Sequence, residues 1–302
     1  MALSADPAKI DRVATGAGFF AALDQSGGST PGALRHYGIP ESAYHGDDEM
    51  FRLVQEMRER IVTSPAFDGS KVLAVILFAK TMDSVIQGLP APDFLWRQRG
   101  IVSFLKVDQG LEVEADGVRL MKPIPGLDAL LADATGLGVI GTKMRSVINS
   151  HSKTGIAAIA AQQFEIAGQI ADRGLLPIIE PEISIDSPDE AGAEDVLLGE
   201  LHKGLDALPS GRKVVLKLTI PTRPDVYASL IGHPRVVRVL ALSGGYSRAE
   251  ACRRLAATPG MIASFSRALL EDLRVGDSPQ AFDAKLATSI AEIYAASVNK
   301  AC

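Results

Sequence analysis

Cysteine is nearly absent from this chain: Cys252 and Cys302 are the only two among 302 residues, and they lie far apart. That fits a reducing compartment and a chain with no disulfide framework. Histidine is almost as scarce. His36, His45, His151, His202 and His233 all fall outside the strands that the pattern predicts, and no two have ligand spacing. Loop or surface positions are the preferred reading for all five, which argues against a metal centre. No apolar run approaches the roughly 18 residues needed to span a bilayer, and no signal-type apolar stretch follows the N-terminal Met-Ala-Leu-Ser-Ala-Asp-Pro. The net charge is −5 and no Lys/Arg block forms a basic stripe, so nucleic acid is not an expected partner. No Gly/Ser/Pro-rich linker and no internal repeat divides the chain. The expectation is a soluble, cytoplasmic, single-domain protein over residues 1–302, with no membrane partner.

What the chain has in quantity is short apolar runs. Eight recur: Phe19–Asp24, Val72–Lys80, Val102–Asp108, Leu137–Arg145, Leu175–Glu182, Val214–Ile220, Val236–Leu242 and Met261–Ser266. Val, Ile and Leu dominate most of them, as in parallel strands covered on both faces. Helical patterns alternate with them. Met50, Phe51, Val54, Met57 and Ile61 follow helical spacing within Asp47–Val62, and Ile156, Ile159, Ala160, Phe164, Ala167 and Ile170 do so before a capping Gly174. Ser247 is a reasonable N-cap for a helix through Ala256, and Ala281–Ala296 reads as a terminal helix. The proline-bearing stretch Gln87–Gly100 reads as a long loop. Eight strands alternating with helices predict an α/β fold, a (β/α)8 TIM barrel with short helical extensions at both ends. The rival, an open doubly wound sheet, lacks its Gly-x-Gly-x-x-Gly after the first strand.

Against this background Lys217 is anomalous, since it interrupts Val-Val-Leu-Lys-Leu-Thr-Ile at 214–220. A bare ammonium in an apolar interior loses several kcal/mol of hydration unless paired or deprotonated. One such lysine alone could be a strand-end residue whose head reaches water. Other strands carry the same anomaly late in their runs: Asp24, Lys106 with Asp108, Lys143 with Arg145, and Glu180 with Glu182. Spacing of i, i+2 puts each pair on one face, and late strand positions in a barrel face its active-site mouth. Lys106, Lys143 and Arg145 are expected to push Lys217 towards the neutral, nucleophilic amine. The amine would form an iminium with a carbonyl, and carboxylates would move the protons, with Glu180 tuned near neutral pH. Leu242-Ser243-Gly244-Gly245 and Ser264-Phe265-Ser266-Arg267, ending the last two strands, have the hydroxyls, glycines and arginine that suit a phosphate dianion. Cys252 reads as a small buried residue.

Seven segments stand in order with the spacing of one family: Ala22-Leu-Asp-Gln-Ser-Gly-Gly-Ser29, Phe104-Leu-Lys-Val-Asp-Gln-Gly110, Thr142-Lys-Met-Arg145, Pro177-Ile-Ile-Glu-Pro-Glu-Ile183, Leu216-Lys-Leu218, Leu242-Ser-Gly-Gly245 and Ser264-Phe-Ser-Arg267. Over roughly Gly18–Leu270 the chain resembles the class I, Schiff-base fructose-1,6-bisphosphate aldolases of the short bacterial type. The resemblance implies a metal-independent, cofactor-free lyase that cleaves fructose 1,6-bisphosphate, a step of glycolysis and gluconeogenesis. It makes Lys217 the Schiff-base lysine and Glu180 the main proton donor and acceptor. Asp24 handles the hydroxyl at the bond cleaved, Lys143 assists carbinolamine formation, and Glu182 supports them. Lys106 and Arg145 would lie near the sugar hydroxyls and second phosphate. Ser243, Gly244, Ser266 and Arg267 would hold the first phosphate, with Ser26 and Ser29 also binding substrate.

Three departures accompany the resemblance. The chain ends Val-Asn-Lys-Ala-Cys, without the terminal tyrosine of longer members. Arg35 stands in for a basic pair at the second phosphate, and Gln109 replaces a lysine of many relatives. The implied partners are small sugar phosphates, with homo-oligomerisation left open. Competing readings are a Schiff-base aldolase for tagatose bisphosphate, a non-catalytic sugar-phosphate-binding barrel and, disfavoured by the histidines, a metal-dependent aldolase.

Overall fold

The structure is a computed structural model that describes residues 6–26 and 30–301. Eight parallel strands form the barrel: β1 (Phe19–Leu23), β2 (Val72–Leu77), β3 (Val102–Lys106), β4 (Gly141–Ile148), β5 (Leu176–Ile183), β6 (Val214–Thr219), β7 (Val236–Leu242) and β8 (Ile262–Phe265). Each pairs with the next, β8 pairs with β1, and the ring is complete. Closure leaves no barrel edge with unpaired backbone groups. All eight predicted runs are strands, with shifted ends. The second stops at Leu77, where a helical turn Ala79–Met82 begins, and the fourth starts only at Gly141.

Alternation along the strands sorts the core into two clusters. Phe20, Ala22, Ile76, Val102, Phe104, Leu176, Ile178, Val215, Leu240 and Ile262 fill the barrel interior. Phe19, Ala21, Leu23, Leu105, Ile179, Leu216 and Leu218 face the surrounding helices. Phe20 and Phe104 meet across the interior with ring centroids 5.6 Å apart. Burying either ring contributes about 1.5–3 kcal/mol. Gly141 makes room for them: a Cβ there would lie 2.1 Å from the Leu176 carbonyl oxygen and 2.5 Å from the Phe104 ring. Below the barrel, the helix Pro7–Thr15, capped by Asp6, sends Val13 into the interior cluster. Arg238 fastens the helix by donating to the carbonyl oxygens of Ala14 and Gly16, at 2.6 and 3.0 Å.

The helices follow the periodic patterns closely. Asp47–Val62 lies within the helix Gly46–Thr63, and the Ile156–Ile170 pattern within Lys153–Asp172, after which Gly174 takes φ +77°. Ser247 caps the helix Arg248–Ala256 by accepting from the Glu250 amide, and the terminal helix runs Pro279–Val298. The stretch Gln87–Gly100 departs from expectation, because it contains the helix Ala91–Arg99. Its prolines sit at the N-cap and in the first turn, where no amide hydrogen is needed, and Gly100 closes it at φ +68°. Among the described residues no helix is long and apolar enough to cross a membrane.

Candidate active site

Strand parity delivers the charged groups to one mouth. Asp24 continues the interior-facing series Phe20, Ala22; Lys106 follows Val102, Phe104; Glu180 follows Leu176, Ile178; and Lys217 follows Val215. At the start of each strand this face is packed with apolar side chains, and at its C-terminal end it carries charge. The charged ends line a cavity of about 380 Å³, together with Ser243, Gly244, Ser264, Ser266 and Arg267.

Within it the ionised groups form one network. Lys143 Nζ lies 2.6 Å from Asp24 Oδ2, 3.0 Å from Glu180 Oε2 and 4.0 Å from Asp108 Oδ2. Lys217 Nζ lies 2.8 Å from the other oxygen of Glu180. Lys106 Nζ donates to the side chain and the carbonyl of Asp108 at 2.7 and 2.9 Å. Arg145 pairs with Glu182. Lys143, Glu180 and Lys217 are each no more than 4% exposed. Glu180 Oε2 makes its ion pair without hydrogen-bond alignment, so its lone pairs stay open to another donor.

Burial alone would raise the Asp24 carboxyl, but the ammoniums of Lys143 and Lys217 outweigh it and hold Asp24 well below the usual carboxylate range. Burial likewise opposes the charge on Lys143, yet Asp24, Glu180 and Asp108 prevail and raise it. Glu180 follows the same rule: burial raises it, while Lys143 and Lys217 bring it below its ordinary value. This corrects the expectation of a Glu180 poised near neutrality in the ligand-free protein. The cations expected to crowd Lys217 are each matched by a carboxylate, and Glu180 stands directly against its amine.

Beside this network lies a cationic, hydroxyl-bearing corner. After β7 the chain turns tightly, the Gly245 and Tyr246 amides both donating to the Ser243 carbonyl oxygen at 2.7 and 2.9 Å. Gly244 adopts φ +61°, and a Cβ there would lie 2.6 Å from Ile185 Cγ2. The Arg267 guanidinium flanks the same turn, and Ser266 Oγ accepts from Gln25 Nε2. Lys106 and Arg145 supply a second cationic edge of the same cavity.

Of the remaining predicted residues, Ser26 is half-buried in the loop after Asp24, and Ser29 lies outside the described residues. Arg35 does not reach the cavity: it pairs with Glu41 on the surface and is 66% exposed. His36 is exposed, as expected, and stands on the helix Thr30–Tyr37 at the edge of the cavity. No cluster of three metal-ligating side chains exists among the described residues.

Sequence reasoning missed Arg58, buried on the helix Gly46–Thr63, which donates to Thr81 Oγ1 at 2.9 Å and to the Gln25 carbonyl. It ties the loops after β1 and β2 together; burial lowers its pKa to about 10, against the attraction of Asp24. Its position four residues after Val54, on the apolar face, was the signal. Gln163, buried against the Glu180 amide, and Thr219, buried against the Ile183 backbone, were also missed.

No protein-family model matches this chain. A solved structure of a fructose-bisphosphate aldolase from Plasmodium falciparum, in ternary complex with TRAP and a small-molecule inhibitor, superposes with a TM-score of 0.77 and 19% identity. The match covers 99% of this chain and 97% of that one. The Cgl0159 protein of Corynebacterium glutamicum superposes with a TM-score of 0.58 at 15% identity, covering 97% and 93%. At these identities the likeness establishes the fold, and the chain has the (β/α)8 barrel seen in that aldolase.

Proposed function

We propose that this protein is a class I fructose-bisphosphate aldolase, cleaving fructose 1,6-bisphosphate reversibly to dihydroxyacetone phosphate and glyceraldehyde 3-phosphate. The observation that carries the reading is the continuous network Asp24–Lys143–Glu180–Lys217 at the barrel mouth. A nucleophilic amine, a carboxylate in direct contact with it and a second acid–base pair are the groups that iminium chemistry uses. Cationic corners at Arg267 with Ser243, and at Lys106 with Arg145, suit the two ends of a bisphosphate.

In this mechanism Glu180 Oε1 takes a proton from the Lys217 ammonium, freeing the amine to attack the C2 ketone. The protonated Glu180, with Lys143 beside it, then returns a proton to the carbinolamine hydroxyl, and water leaves. The resulting iminium accepts the electron pair of the breaking C3–C4 bond. Asp24 or Glu180 takes the C4 hydroxyl proton, and glyceraldehyde 3-phosphate departs. Protonation of the enamine and hydrolysis release dihydroxyacetone phosphate and regenerate Lys217. The electron sink is the iminium itself, so the reading calls for no metal and no cofactor.

The test is to incubate the protein with dihydroxyacetone phosphate, reduce with borohydride and map the adduct. The expected result is one adduct on Lys217 and activity insensitive to EDTA. No adduct on Lys217, together with activity abolished by EDTA, would refute the reading. Turnover of fructose against tagatose 1,6-bisphosphate, which differ at C4, fixes the substrate.

A further inference from the structure

The hydrogen-bond ladder between β5 and β6 ends where the charged groups begin. β4 and β5 stay paired from Gly141 with Leu176 to Ile148 with Ile183. β5 and β6 pair only at Ile178 with Val215 and Ile179 with Leu216. The next residues along the two strands are Glu180 and Lys217. Pro181 follows Glu180 and has no amide hydrogen to continue a ladder.

Beyond that point two side chains bond the β5 backbone, and Thr219 takes the place of the ladder to β6. Gln163, fully buried on the helix Lys153–Asp172, accepts from the Glu180 amide at 2.8 Å. Thr219, the last residue of β6 and 3% exposed, accepts from the Ile183 amide at 2.9 Å and donates to the Ile183 carbonyl at 2.7 Å. In an extended strand the N–H and C=O of one residue point to the same side. One hydroxyl that engages both therefore stands in for a neighbouring strand. Gln163 Nε2 is buried without a partner, and such a group costs about 1–3 kcal/mol. Core packing alone is served better there by an apolar residue, so the amide's contribution lies in the bond to Glu180.

We propose that Gln163 and Thr219 are positioning residues: Gln163 anchors the Glu180 backbone to its helix and Thr219 ties β5 to β6 past the end of their ladder, so that Glu180 and Lys217 meet at the separation proton transfer needs. This rests on the aldolase reading above. Gln163 fixes the backbone of the carboxylate, and Thr219 fixes the far end of its segment from the lysine's own strand, two residues beyond Lys217. Without these bonds the Glu180–Ile183 segment is positioned by β4 alone, while the corner of Ser243, Gly244 and Arg267 is carried by β7 and β8.

The experiment compares Thr219→Val, Thr219→Ser and Gln163→Met with wild type, with kcat normalised to sites titrated by borohydride trapping of dihydroxyacetone phosphate. Thr219→Val and Gln163→Met should each lower kcat about 10- to 100-fold, as expected for a sub-ångström to ångström misplacement of reacting groups. KM should change far less than kcat, because Ser243, Gly244 and Arg267 are themselves unaltered. Thr219→Ser, which keeps the hydroxyl, should recover most of the rate. A merely structural role would lower the number of titratable sites and leave kcat per site unchanged. If Thr219→Val does not fold, Gln163→Met carries the test alone. Wild-type kcat per site in the folded variants, with a normal Lys217 adduct in wild type, overturns this inference and leaves the aldolase reading standing. No Lys217 adduct in wild type removes both.

Discussion

Lys217 and Glu180 face each other at 2.8 Å from adjacent strands whose regular pairing ends one residue earlier, at Leu216 and Ile179. The contact is thus made just past the end of that ladder, while Glu180 stays paired with Arg145 of β4 and Lys217 with Leu240 of β7. It is a buried ion pair, which by itself adds little net stability, since desolvation offsets most of the attraction. Its value is chemical: the carboxylate is within direct reach of the amine's proton.

Replacing Lys217 with Met should therefore separate chemistry from folding. Glu180 keeps Lys143 at 3.0 Å, so it is not left as an unpaired buried charge. Thermal unfolding should shift by only a few degrees, whereas turnover should fall by at least about a thousandfold, the proposed nucleophile being gone. Steady-state kinetics and a melting curve check both. Normal turnover would show that another residue is the nucleophile.

Lys143→Met should do the reverse damage to the fold. Lys143 is the cation shared by Asp24, Glu180 and Asp108, and its loss leaves buried carboxylates without their common partner. The expected cost is about 3–5 kcal/mol, larger than for Lys217→Met, read by denaturant unfolding at pH 7. Equal stability of the two variants would contradict this.

The pH dependence of stability has a defined sign. Asp24 and Glu180 have depressed values in the folded protein, so as pH falls below about 4 the unfolded chain takes up their protons first. Their contribution is present above the unfolded values and is lost as pH falls through the folded ones. With Lys143 removed, the folded values move up towards the unfolded ones, so less stability should be lost on acidification than in wild type. Denaturant unfolding at several pH values between about 7 and about 3 tests whether that acid-dependent loss shrinks.

Much of this was legible in the sequence because period-2 alternation is a strong constraint. Once Val215 is placed inside a barrel, Lys217 must be inside too, and the same holds for Ile178 with Glu180 and for Phe104 with Lys106. What alternation cannot convey is which carboxylate lies against which ammonium. That is why Glu180 was expected near neutrality and is instead held low by two lysines. The helix Ala91–Arg99 was hidden because prolines at a helix start look, in one dimension, like prolines in a loop. Arg58 and Gln163 occupy apolar helix faces, where spacing signals burial but not the group each side chain meets, and Arg35 pairs with Glu41 on the surface.

The turn after β7 gives the last prediction. Gly244 holds φ +61°, and a Cβ would meet Ile185 Cγ2 at 2.6 Å. Gly244→Ala therefore imposes both a left-handed penalty of about 1–2 kcal/mol and a steric one. The turn also carries Ser243, and Arg267 flanks it, so the strain should appear as weakened phosphate binding rather than lost chemistry. KM for the bisphosphate should rise about 10-fold or more, with kcat changed far less. Ile185→Ala in the same chain removes the clash but not the φ penalty, so it should recover part of the KM and not all of it. Arg267→Ala, which removes a charge-assisted contact of about 1.5–3 kcal/mol, should raise KM by about 10- to 100-fold and leave the turn's backbone intact. If both substitutions left KM unchanged while lowering kcat, this corner would not be where phosphate is held.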